Sequence, residues 1–299
     1  VKRDETVLYY FEETAEPAQR LAGELGLIAS RIERHCFPDG ESLVRIMAPC
    51  RTAIVYRSLD EPNGKLVELM LAASALRERG AESLYLVAPY LCYMRQDTAF
   101  HEGEAVSQKV VGGFLAGLFD GVVSVDPHLH RTRTLQEVFP GSKALALSAT
   151  GLLANHLRRL GCPKNAVIVG PDRESRQWVE AVAAPLGLEV LVGEKQRRGD
   201  CDVSIEMAGL EAVSGRAVFL ADDVASTGRT LIEAAGLLTA SGAASVSALV
   251  VHMLGGTALL RSLEEAGIEK VYSSDSLVHE TNAIALAPLL AEGLRQITA

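Results

Sequence analysis

The sequence predicts an α/β protein of two similar domains, each a mainly parallel sheet flanked by helices. Length and hydrophobicity come first: 299 residues at 48% hydrophobic content are enough to bury two cores. Short β-rich runs then alternate with longer segments of helical periodicity, the pattern of strand-helix-strand units in which parallel strands need crossovers. Finally, the pattern restarts near LALSATGLLANHL (145–157), after the Pro140-Gly141 turn.

The strands expected in order are VLYY (7–10), AIVYRS (53–58), SLYLVAPY (83–90), VVSVD (122–126), VIVGPD (167–172), AVFLADDV (217–224) and SVSALVVHML (245–254). Between them lie KLVELMLAASALRERG, SQKVVGGFLAGL, ESRQWVEAVAAPLG, TLIEAAGLLTASG and ALLRSLEEAG, several ending in the glycine that closes a helix. The junction falls at about residue 145, giving domains 1–145 and 146–299, with a last helix at about 284–297 that could pack back on the first domain. Each half has room for about five strands, which suggests a duplicated unit, although no sequence repeat is visible.

A net charge of −9, with acids and bases interspersed, argues against nucleic acid or a membrane surface as partner. An anionic ligand must be held by local groups. The five cysteines are odd in number, far apart and without a CxxC pair, so neither a disulfide framework nor a zinc cluster is expected, and a reducing cytoplasm fits. VKRDETVLYY lacks the apolar stretch of a secretion signal, and no apolar run reaches membrane-span length.

Chemistry is written most clearly in AVFLADDVASTGRTLIEAAG (217–236), where an apolar strand ends in Asp222 and Asp223 and a small-residue loop leads to a helix opening at about Thr227. Ser226, Thr227, Gly228 and Thr230 offer backbone N–H groups, hydroxyls and a helix N-terminus to a phosphate dianion without needing a lysine. The acidic pair suits ribose hydroxyls or a Mg²⁺ held by them. A strand-terminal Asp that only caps the next helix is the plainer alternative. GxxxxGK[ST] and a post-strand GxGxxG are both absent, which removes P-loop kinases and dinucleotide-binding dehydrogenases.

This segment resembles the phosphoribosyl-diphosphate loop of the type I phosphoribosyltransferase fold. Within that superfamily, CFPDGES (36–42), APYLCYMRQD (88–97) and SVDPHLH (124–130) are similar to motifs of the ribose-phosphate pyrophosphokinases, in order along nearly the whole chain. The resemblance implies that Phe37, Asp39 and Glu41 contact the adenine of ATP from a neighbouring subunit of a homo-oligomer. It also implies that Arg95, Gln96 and His128 bind ATP, that His128 and Asp172 serve Mg²⁺, and that Lys195 and Arg197 are the catalytic cations of a flap. Cations there would meet charge developing around the β-phosphorus.

Four positions depart from the family pattern. Thr98 and Ala99 stand where basic residues are common, Ser226 replaces the usual Asp as in archaeal-type members, and Arg229 replaces the second glycine. At a positive φ, Arg229 would strain the loop by about 1 kcal/mol or more. The activity implied is transfer of diphosphate from ATP to ribose 5-phosphate. A phosphoribosyltransferase and a non-catalytic regulatory subunit are the alternatives.

Overall fold

The computed structural model describes residues 5–129, 131–197 and 203–298, with the side chains of residues 195–197, 203 and 204 outside that description. The chain divides into two compact units. One holds residues up to 148 together with 276–278 and 286 onward; the other holds 149–275 and 279–285.

The first unit runs β1 (Thr6–Tyr10), α1 (Ala15–Leu25), β2 (Ile28–Arg31), β3 (Glu33–Cys36), β4 (Ser42–Arg45), β5 (Thr52–Tyr56), α2 (Pro62–Glu78), β6 (Ser83–Val87), α3 (Ser107–Leu118), β7 (Gly121–Val125) and β8 (Lys143–Leu147). Six of these strands form one sheet in the order β2-β1-β5-β6-β7-β8, every neighbour parallel. Strands β1 and β7 are buried along their full length, as expected where helices cover both faces.

The second unit runs α4 (Thr150–Arg159), β9 (Val167–Gly170), α5 (Arg176–Ala183), β10 (Glu189–Val192), β11 (Glu194–Arg197), β12 (Val203–Glu206), β13 (Ala217–Ala225), α6 (Arg229–Ala240), β14 (Ser245–Met253), α7 (Thr257–Glu265), β15 (Ile268–Ser274) and β16 (Asn282–Ile284). Its sheet is β10-β9-β13-β14-β15-β16, again all parallel. Both sheets therefore place their second strand outside the first and continue from the first to the third. An antiparallel hairpin is inserted between second and third in each, β3–β4 and β11–β12. The duplication that no sequence repeat reveals is thus explicit in topology. In each sheet the crevice between the first and third strands is the switch point, where ligands of such folds bind beyond the carboxyl ends.

Six strands per sheet, rather than about five, reflect short edge strands with little apolar signal. The chain's last helix, α8 (Ala287–Ile297), belongs to the first unit. Its Gly293 lies so close to Leu147 that an added Cβ would sit 2.7 Å from Cδ1, and Lys143 Nζ donates to the Ile297 carbonyl at 3.0 Å. Among the described residues no helix is long and apolar enough to cross a membrane; Cys36, Cys50, Cys92 and Cys162 are free thiols.

One buried group makes the second unit sensitive to acid. His156 on α4 is buried, its ring centre 4.9 Å from that of Tyr272, and burial, helped by the charge of Arg159, holds its imidazole below the usual range. Because the folded state resists protonation, its contribution is complete above the unfolded value of about 6.5 and is lost as pH falls through the lower folded value. The unfolding midpoint should therefore fall between about pH 7 and pH 5, and His156→Phe should flatten that profile while keeping the ring on Tyr272. Equal slopes in the two proteins would assign the loss to other groups.

Candidate active site

The carboxyl edge of the second sheet carries the small-residue loop. Strand β13 runs through the acidic pair to Ala225 and α6 starts at Arg229, so the acids lie within the strand and the helix opens two residues later than the sequence suggested. The strand continues because Val224 and Ala225 still pair with His252 and Met253 of β14. Asp222 and Asp223 are both half-buried, with the Asp223 N–H donating to Asp222 Oδ1 at 3.0 Å.

Gly228 turns the chain into α6 with φ 65°, a conformation that costs glycine nothing. An added Cβ would also meet Leu259 Cδ1 at 2.2 Å. Arg229 is the first helical residue and is not among the positive-φ positions, so the strain anticipated there is absent. Gly228 has no side chain with which to cap α6, and the first-turn N–H groups open beside Ser226, Thr227 and Thr230. Gly255, which sequence reasoning missed, backs this loop: Leu254 and Gly255 donate to the Ala225 carbonyl at 2.9 and 3.2 Å, and a Cβ on Gly255 would fall 2.9 Å from the Ser226 oxygen.

On the adjacent strand end, Asp172 Oδ1 accepts from the N–H groups of Glu174 and Ser175 at 3.1 and 3.2 Å, capping a short turn. The hairpin β11–β12 springs from the same edge. Gly193 donates to the Gly170 carbonyl at 2.9 Å and packs so tightly that a Cβ would stand 2.5 Å from the Pro171 oxygen. Arg173 and Glu194 bridge at 2.7 Å, and Ile205 N–H donates to Glu233 of α6 at 2.6 Å. Lys195 and Arg197 hold alternate positions on β11; their side chains lie outside the described residues.

In the first unit, the loop of the β3–β4 hairpin is closed by Phe37 N–H to the Glu41 carbonyl at 2.8 Å and by Asp39 Oδ1 accepting from Glu41 N–H at 3.2 Å. Phe37, Asp39 and Glu41 are all exposed, Phe37 resting edge-on against His35 at 4.7 Å. After β6, Gln96 Oε1 accepts from Ser107 Oγ at 2.8 Å, while Asp97 is bridged at 2.8 Å by Arg131, a second residue missed from sequence. Arg95 is exposed and His128, just beyond β7, half-buried.

The only non-glycine residues with positive φ among those described are Glu61 (45°), Tyr93 (61°) and Asp126 (36°). They follow β5, β6 and β7 in turn. Strained backbone of this kind persists where surroundings over-determine it, typically beside a functional site, and here it marks the edge carrying Arg95, Gln96 and His128.

Residues 6–118 match the family described as the N-terminal domain of ribose phosphate pyrophosphokinase, and residues 142–285 the phosphoribosyl transferase domain. The chain is 32% identical to the ribose-phosphate pyrophosphokinase of Methanopyrus kandleri, over 94% of this chain and 95% of that one. It belongs to the ribose-phosphate pyrophosphokinase family. Ribose-phosphate pyrophosphokinase 2 of Archaeoglobus fulgidus is 34% identical, over 93% and 96% of the two chains. The crystal structure of phosphoribosylpyrophosphate synthetase from Mycobacterium smegmatis superposes with a TM-score of 0.85 at 26% identity, covering 98% of this chain and 99% of that one. In this ribose-phosphate pyrophosphokinase the motifs fall on two sheet edges. Residues 222–230, Asp172 and β11 share the edge of the second sheet. Arg95, Gln96 and His128 share that of the first, where the hairpin loop 37–41 follows β2.

Proposed function

We propose that this enzyme transfers the β,γ-diphosphoryl group of ATP to the C1 hydroxyl of ribose 5-phosphate, giving 5-phosphoribosyl 1-diphosphate and AMP. The N-terminus of α6, entered through Ser226, Thr227 and the glycine N-cap Gly228, is the observation that carries this reading. It receives the 5-phosphate with Thr230, and Asp222 and Asp223 accept hydrogen bonds from ribose hydroxyls. The ATP adenine stacks on Phe37 with Asp39 and Glu41 accepting from its amine, and Arg95, Gln96 and His128 take polyphosphate oxygens. All three hairpin residues are exposed, in keeping with an adenine site completed between subunits of a homo-oligomer.

Among the described residues no three His, Cys, Asp or Glu groups converge on a metal position. That donor set fits Mg²⁺ carried by nucleotide phosphates, which needs one or two protein carboxylates at most. Asp172 in the second unit would supply one, and His128 in the first would offer an imidazole. When bound, Mg²⁺ neutralises charge on the transferred group. The protein's own part is positioning and charge: Lys195 and Arg197 meet the oxygens between the attacking hydroxyl and departing AMP. Incubation with ribose 5-phosphate and Mg-ATP should release AMP in equal amount to 5-phosphoribosyl 1-diphosphate. Consumption of that product with a free base, without AMP formation, would favour a phosphoribosyltransferase, and no turnover by the purified chain a regulatory subunit.

A further inference from the structure

The switch-point crevice of the first sheet is filled by the protein itself. Arg57 follows β5, the third strand of its sheet, and is fully buried. Its Nε and Nη2 donate to Glu13 Oε1 at 2.9 and 2.8 Å, and Nη2 also donates to Glu68 Oε2. The guanidinium carbon sits 3.6 Å from the centre of the Phe11 ring. Burial by itself would raise the Glu13 carboxyl, but the charge and hydrogen bonds of Arg57 hold it below its usual range. Where the second sheet keeps its crevice for an anion loop, the first closes the equivalent place with its own cation.

Glu68, on α2, has a second use. While Oε2 takes Arg57, Oε1 accepts from Ser42 Oγ at 3.0 Å and from Arg34 Nη1 at 3.5 Å. Arg34 lies on β3 and Ser42 opens β4, paired with Cys36 directly across the loop that bears Phe37. A two-stranded hairpin alone is marginal in water, and this one is mostly exposed. A loop left free would have to be ordered at the moment of binding, which weakens affinity.

We propose that Glu68, oriented by buried Arg57, is a positioning residue that holds the hairpin in the shape that receives the adenine of ATP. This rests on the assignment of Phe37, Asp39 and Glu41 to the nucleotide. Removing either buried charge could unfold the unit, so the test cuts the hairpin end of the connection instead. The double variant Arg34→Ala/Ser42→Ala should bind Mg-ATP about tenfold more weakly by calorimetry, with its unfolding midpoint within about 2 °C of the parent. Ser42→Thr, which keeps the hydroxyl, should bind like the parent. An unchanged Kd in the folded double variant, or equal weakening by Ser42→Thr and Ser42→Ala, would overturn the proposal while leaving the reaction intact. A parent chain that binds no Mg-ATP would remove the assignment beneath it.

Discussion

Replacing Lys195 by alanine should lower kcat about a hundredfold to a thousandfold while leaving the KM for ATP within about threefold. The expectation follows from where the hairpin begins. Gly193 is locked against Gly170 and Pro171, and Ile205, cross-strand partner of Lys195, is tied to α6 through Glu233. The Lys195 backbone is thus fixed from both strands, two residues beyond a tight contact, at the edge that carries Asp172 and the loop before α6. In the proposed reaction the Lys195 cation would act on charge that grows only as the diphosphoryl group leaves AMP, so its loss should be felt in turnover more than in ground-state binding. Steady-state kinetics varying each substrate will decide. A variant with normal kcat would remove the hairpin from the chemistry, and one with only a raised KM would make Lys195 a binding group.

Gly228→Ala is expected to raise the KM for ribose 5-phosphate at least about tenfold and to destabilise the second unit by about 1–3 kcal/mol. Two penalties combine. The backbone stands at φ 65°, where a Cβ is disfavoured, and that Cβ would press on Leu259 at 2.2 Å. Relief by either route shifts the N–H groups at the start of α6, the donors proposed for the 5-phosphate. Adding Leu259→Ala should remove the contact but not the φ penalty, recovering stability only in part. The KM for ATP should stay near the parent value in both proteins. An unaltered KM for ribose 5-phosphate in a folded Gly228→Ala protein would mean that the phosphate sits elsewhere.

Central strands were legible because they are buried on both faces and read as continuous apolar runs, as in VVSV of β7 and AVFLA of β13. Edge strands such as β2, with sequence IASR, and β16, with sequence NAI, carry only a few half-exposed residues, and nothing in their composition separates them from loop. The turn from β13 into α6 was legible because small and hydroxyl residues follow an acidic strand end. Gly255 was not, since its contribution is the side chain it lacks, and many glycines look alike in sequence. Arg57 and Glu68 were hidden for another reason: a charged residue after a strand or on a helix is ordinarily solvated, and only packing shows that this pair is interior.

The placement of α8 with the first unit sets an order of manufacture. A ribosome supplies residues 149–285 before it supplies 286–297, so the whole second unit can condense while the first sheet still lacks the helix that seats on β8. During that interval apolar surface such as Leu147 has no cover, and a nascent chain stalled short of residue 286 should expose it to chaperones.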